Sequence, residues 1–288
     1  MIRLTSLQRV SFPRTVEEAG AALAAAEGRA VPIAGGITFA FAPYNRAEEL
    51  VSLSRLPLDF IAKSGKSLRV GAMTRINDLL ESRPVASYAD GILTAVASRI
   101  GSTLNRNLIT VGGNISQPFI WCDLPVALMA LKADIVTGGA VSRSLSADEF
   151  FARPPRQILK TGELVTEVVF PSLENGTVAR YRDFTLTEND FALIKVAAAV
   201  RIVKGRCREI SLVVGGASAL PQRLEKVEAV VRGTKITAPV LAKASAAAEA
   251  EVRVIKDIRC TLKYKKVLCG VLVRDILERL SRGEEGGR

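Results

Sequence analysis

The sequence predicts an α+β protein, on three observations. Residues 1–173 alternate short apolar or β-branched runs with stretches of helical periodicity. Residues 177–282 present three strand-like runs and then three helical ones, the order expected of a small sheet with helices on one face. Two apolar runs, at 31–34 and 109–111, each break into a glycine pair. At 288 residues the chain can form two or three compact units, each burying its own core.

Thr15 stands where an N-cap belongs, and Glu18 three residues on completes a capping box for an alanine-rich helix over 16–26. A strand at 31–34 and a shorter one at 50–53 follow, and Leu56-Pro57-Leu58 reads as a crossing between subdomains. Residues 60–63 and 67–71 pair as a hairpin about Ser64-Gly65-Lys66, after which Thr74 caps a helix running to residue 80. A longer helix at 90–100 places Ile92, Leu93, Val96 and Ile100 on one apolar face and feeds directly into a strand and tight turn at 109–116. Then come a helix at 126–131, a strand at 134–137, a short helix from Asp148 that Pro154-Pro155 breaks, and a β-branched strand at 164–170. Residues 171–176 form a boundary. Beyond it strands fall near 179–184, 195–203 and 209–214, and helices near 224–231, 239–250 and 264–280. The tail 283–288 is expected to be disordered.

With 48% hydrophobic residues and a mean hydropathy of +0.22 the chain reads as globular, and no run of about eighteen apolar residues appears that would span a bilayer. The amino terminus has no apolar stretch behind its charge, so a cytoplasmic location is expected. Cys122, Cys207, Cys260 and Cys269 include no Cys-x-x-Cys pair, which argues against zinc or iron–sulfur ligation and for free thiols. No histidine is present, which removes the commonest general base and metal ligand and any Ser-His-Asp arrangement. A bound cofactor is therefore expected to carry any chemistry. The net charge is +11, with basic residues thickest between Arg253 and Lys266. Aromatics at 5% and the interrupting Asp257 argue against nucleic acid, and for a solvated helix face or a docking surface for an acidic partner.

Ile109-Thr110-Val111-Gly112-Gly113-Asn114-Ile115-Ser116 is the stretch around which the chain is organised. Glycine at 112 and 113 permits either positive φ or close approach of the backbone to another group. Free N–H groups there, flanked by the Thr110 hydroxyl and the Asn114 amide, would form a concave donor surface for a phosphate or pyrophosphate. An ordinary hairpin turn is the plain alternative. Val31-Pro32-Ile33-Ala34-Gly35-Gly36-Ile37-Thr38 repeats the design upstream and favours the anion, because two such loops can hold one diphosphate from both sides. Trp121, the only tryptophan, lies just beyond the second loop as either a core aromatic or a ring-stacking group.

Ala34-Gly35-Gly36-Ile37-Thr38 and Thr110-Val111-Gly112-Gly113-Asn114 resemble the two FAD-binding motifs of the medium, flavin-carrying subunit of molybdenum hydroxylases, the xanthine dehydrogenase and carbon monoxide dehydrogenase family. The likeness covers nearly the whole chain, including Arg69 to Thr74, Ile100-Gly101-Ser102, Asp123-Leu124-Pro125 and the segment from Glu188 to Lys195. It implies a two-subdomain FAD-binding fold of the vanillyl-alcohol oxidase and p-cresol methylhydroxylase type, divided as 1–57 and 58–173. A small α+β domain with an antiparallel sheet follows over 177–282.

By matching position, Ala34, Gly35, Gly36, Ile37 and Thr38, with Thr110, Val111, Gly112, Gly113 and Asn114, would hold the pyrophosphate. Asp123 would bond nearer the flavin end and Lys195 would lie near the isoalloxazine; read alone, Asp123 is equally an N-cap and Lys195 an exposed strand residue. No residue is expected to act as acid, base or nucleophile, and no metal ligand is expected. The implied partners are a molybdopterin-binding large subunit, a small [2Fe-2S] subunit relaying electrons, and an external acceptor: NAD, quinone, ferredoxin or oxygen. The sequence departs from the motif at Ile37 and Ile109 and by the bulky Phe119, Trp121 and Cys122. A nucleotide-binding sensor or assembly module without redox turnover, and a self-sufficient flavin oxidase, are the rival readings.

Overall fold

The computed structural model describes residues 7–37, 47–188 and 190–282; Thr38 and the tail 283–288 lie outside them. Three sheets carry the chain. The first is parallel, β1 (Arg9–Ser11), β2 (Ala30–Ile33) and β3 (Glu49–Ser52), in the order β1-β3-β2. Parallel neighbours need a crossover, and α1 (Val16–Ala25) supplies it between β1 and β2. Thr15 Oγ1 accepts from the Glu18 N–H at 3.1 Å as expected. The return bond departs from a capping box: the Glu18 carboxylate accepts from the Arg14 N–H, one residue early. Gly20 lets α1 lie on the second sheet, for a Cβ there would stand 2.6 Å from Gly139 Cα.

The second sheet is antiparallel, with strands β4 (Ile61–Ser64), β5 (Ser67–Gly71), β6 (Asp134–Gly139), β7 (Arg143–Ser146) and β8 (Glu163–Phe170) in the order β4-β5-β8-β6-β7. Six helices run between β5 and β6: α2 (Ile76–Glu81), α3 (Arg83–Ala86), α4 (Ile92–Ser98), α5 (Thr103–Arg106), α6 (Val111–Ser116) and α7 (Leu124–Ala130). Two more, α8 (Ala147–Phe150) and α9 (Pro155–Ile158), precede β8. Arg75, not Thr74, is the N-cap of α2. Thr74 is buried and its hydroxyl donates to Phe60 O at 2.9 Å, so it ties the hairpin down instead. The helix expected at 90–100 is shorter, because Ala89, Asp90 and Gly91 take positive φ before it, and α5 separates it from Ile109.

The third sheet, also antiparallel, runs β12-β11-β10-β9, from β9 (Thr177–Phe184), β10 (Ile194–Val203), β11 (Arg206–Gly215) and β12 (Gln222–Arg223). Helices α10 (Glu225–Val231), α11 (Ala238–Glu251) and α12 (Leu262–Arg282) follow. Alternation divides β10 between two cores: Val196, Ala198 and Val200 join the cluster under α10–α12, while Ala197 and Ala199 join the amino-terminal core. A strand buried on both faces needs an unbroken apolar run, which Val196 to Val200 provides. No helix of the described residues is long and apolar enough to cross a membrane.

Candidate functional site

The organising stretch at 109–116 is not a strand and turn. It contains the whole of α6, with Thr110 as N-cap and its Oγ1 accepting from the Gly113 N–H at 3.2 Å. The Val111 and Gly112 N–H groups donate to Thr74 O at 2.9 Å and Ala72 O at 2.8 Å, and Asn114 N–H donates to Thr110 O. The donors expected to be bare are therefore engaged within the chain. Neither glycine of the pair has positive φ. Close approach is the reason for Gly112, since a Cβ there would stand 2.7 Å from Ala72 Cβ and 2.9 Å from Ala72 O. A Cβ at Gly113 meets only Thr110 Oγ1. Asn114 is buried, and its Oδ1 has no hydrogen-bond partner.

The first glycine loop differs in kind. Gly36 has φ +76°, and the N–H groups of Gly35, Gly36 and Ile37 make no hydrogen bond among the described residues. A Cβ on Gly35 would fall 1.6 Å from Leu108 O. The two motifs are thus in backbone contact: the first loop rests on the segment that enters α6. Among the described residues the donors without a partner lie on Gly35–Ile37, and an acceptor without one on Asn114.

Asp123 and Lys195 come together elsewhere in the fold. Lys195 is wholly buried on β10, and its Nζ stands 2.7 Å from Asp123 Oδ1 and donates to Trp121 O at 2.7 Å. Tyr181 on β9 donates its hydroxyl to the same Asp123 Oδ1 at 2.6 Å. Burial first, then the neighbouring Asp123 charge, holds the Tyr181 phenol well above its ordinary range. Gly215 on β11 leaves room for the lysine stem, since a Cβ there would stand 3.0 Å from Lys195 Cγ. Asp123 occupies the N-cap position of α7, yet its side chain makes no cap bond; Lys195 is not exposed.

Trp121 is not core. It stacks on Phe119 with centroids 4.5 Å apart and on Phe191 at 5.0 Å, with 37% of its surface open. Cys122 Sγ accepts from the Phe119 N–H, and burial pushes its thiol up to about 11. Phe191 lies within the family-like segment from Glu188 to Lys195, in the loop between β9 and β10, but nothing singled out its ring; Tyr181, on the edge strand β9, lies outside any motif.

A glycine loop after β2 resting on the segment that enters the glycine-bearing helix α6, with a third, antiparallel sheet sharing their core, is the architecture of a FAD-binding oxidoreductase subunit. Residues 5–173 match the family described as FAD binding domain in molybdopterin dehydrogenase, and residues 179–280 match the CO dehydrogenase flavoprotein C-terminal domain. The chain belongs to this family, the FAD subunits of molybdenum hydroxylases. It is 30% identical over 225 residues to the glyceraldehyde dehydrogenase medium chain of Sulfolobus acidocaldarius, covering 77% of this chain and 79% of that one. To the carbon monoxide dehydrogenase medium chain of Hydrogenophaga pseudoflava it is 27% identical, over 92% of this chain and 94% of the other. Reconstituted CO dehydrogenase from Oligotropha carboxidovorans contains a chain of the same fold, with a TM-score of 0.89 at 26% identity, covering 96% and 98% of the two chains.

Proposed function

We propose that this chain is the electron-transfer subunit of a multi-subunit molybdenum hydroxylase in the cytoplasm. It takes electrons from the [2Fe-2S] clusters of a small partner subunit and passes them to an external acceptor; substrate is hydroxylated on a molybdopterin-binding large subunit. Bound FAD supplies the switch between one-electron and two-electron transfer.

The observation that carries the reading is the complementarity left open at the loops. Gly35, Gly36 and Ile37 hold N–H groups with no partner among the described residues, and the buried Asn114 Oδ1 also lacks one. A buried acceptor such as Asn114 Oδ1 is costly unless a ligand or water satisfies it. In this reading Ala34, Gly35, Gly36, Ile37 and Thr38 surround the pyrophosphate, and their N–H groups neutralise it. Thr110, Val111, Gly112 and Gly113 form a rigid shelf, and Asn114 Oδ1 accepts from a ligand hydroxyl or N–H. Asp123 and Lys195 orient the flavin end, each fixed by the other. Residues 1–57 and 58–173 are the two subdomains about the cofactor, and 177–282 overlies it.

Absorbance tests this directly. Purified protein should show flavin bands that bleach under dithionite. A colourless protein that binds ADP or ATP with undiminished affinity would replace this reading with that of a nucleotide-binding module.

A further inference from the structure

The surface of 253–274 is unusual for its composition. Of the thirteen large hydrophobic residues exposed among the described residues, six fall within it: Ile255, Ile258, Leu262, Tyr264, Val267 and Val271. On α12 the inner face, Leu268, Leu272, Ile276 and Leu280, is core. The outer face should then be polar. Instead Val267 and Val271 sit one turn apart on it, bracketed by exposed Lys263 and Arg274.

Within the segment itself charge is one-sided, although Asp190 also lies 3.7 Å from Arg259. Asp257 is the sole acidic residue between 253 and 274, and it is fully engaged, 2.9 Å from Arg259 and 3.1 Å from Lys265. The Arg259 hydrogen bonds first, and those of Lys265 after, hold its carboxyl well below the usual range. Arg253, Lys256, Lys263, Lys266 and Arg274 are left with no carboxylate in the segment to face. The segment also joins the aromatic stack: Arg259 Nη1 donates to Phe191 O at 2.6 Å, and Phe191 stacks on Trp121.

We propose that residues 253–274 form a docking surface for an acidic protein subunit, whose apolar side chains cover Val267 and Val271 on α12 and whose carboxylates meet the surrounding lysines and arginines. Exposed large apolar side chains gathered in one segment and rimmed by charge mark a protein interface. A second copy of this chain is a poor occupant, because a two-fold contact would set this cationic surface against itself. The partner lies beside the Trp121 stack. The proposal rests on the reading of the chain as one subunit of a complex.

The test tags the chromosomal copy in its source cells and places a photo-cross-linking residue at Val271, with a control at Lys66. Lys66 lines a pocket with Arg201, at the end of β10 remote from Phe191. One acidic subunit, identified by mass spectrometry, should cross-link from 271 and not from 66. Lys263→Glu with Lys266→Glu should lower its recovery about tenfold at low salt, and less at high salt, with flavin per chain unchanged. Cross-links to a second copy, to nucleic acid or to nothing would overturn the proposal, as would recovery unaffected by charge reversal. A colourless wild-type chain that still cross-links an acidic subunit from 271 supports this surface and overturns only the flavin reading.

Discussion

Lys195 is an ammonium with no exposed surface, and its carboxylate partner Asp123 comes from a distant part of the chain. Removing one member of such a pair strands the other charge, at a cost of about 3–5 kcal/mol, whereas losing a single neutral donor costs about 1–3 kcal/mol. Asp123→Ala should therefore destabilise flavin-free protein well beyond Tyr181→Phe in urea denaturation; equal, small losses would show that water reaches Lys195. Flavin affinity alone cannot gauge Asp123, since the substitution also loosens the fold. The thiols offer a pH signal. Burial raises Cys122 and Cys207 to about 11 each, while an unfolded thiol ionises near ~8.5. Between these values the folded chain binds more protons than the unfolded one, so stability is full below about 8.5 and falls as pH rises towards 11. Denaturation midpoints measured at rising pH should drop in that window; Cys122→Ser with Cys207→Ser should lessen the slope, and the rest belongs in part to Cys269, which burial pushes up to about 12. Asp123 and Lys195 were singled out separately, by resemblance to the family motif. Their pairing was not, because nothing in either segment's local pattern encodes a contact so distant in sequence.

The glycine loops separate what an element shows in sequence from what its surroundings impose. Two glycines and an asparagine are weak helix formers, and a β-branched run before them reads as strand. Tertiary bonds from Ala72 and Thr74 decide for helix at α6, and those carbonyls lie outside the local window. β1, β7 and β12, at three, four and two residues, are too short to show alternation, whereas β8, β10 and α12 were plain from their length. The two motifs should also respond differently to one added methyl. Gly35→Ala would place Cβ inside the Leu108 carbonyl and push the first loop off its neighbour, so flavin content should fall to near zero. Gly113→Ala keeps a helical φ and touches only the Thr110 hydroxyl at 2.9 Å; flavin should be largely retained. Absorbance per chain reads both, and full flavin in Gly35→Ala would detach the first loop from the site.

At the scale of the molecule, the third sheet is not an independent body. Its inner face sends Ala179, Tyr181, Ala197, Ala199 and Val213 into the same core as the amino-terminal helices. Arg99–Asp183 at 2.9 Å and Arg223–Asp148 at 2.6 Å join it to α4 and α8, and Arg223 also donates to Met129 O at the end of α7. The likeness to CO dehydrogenase medium chains across nearly the full length fits one body of this kind. Shared burial of this sort couples unfolding, so flavin-free protein should melt in a single transition with calorimetric and van't Hoff enthalpies equal. The proposed cofactor contacts come from the loop after β2, from α6, from the start of α7 and from β10 of the third sheet. Ligand bound only by the native state therefore stabilises the whole chain, by about 2.7 kcal/mol at a hundred times its dissociation constant. Added FAD should move that one transition upward without splitting it. Two transitions, with only the amino-terminal one responding to FAD, would show that the shared core does not bind the halves together, and that residues 177–282 contribute nothing to the cofactor's hold.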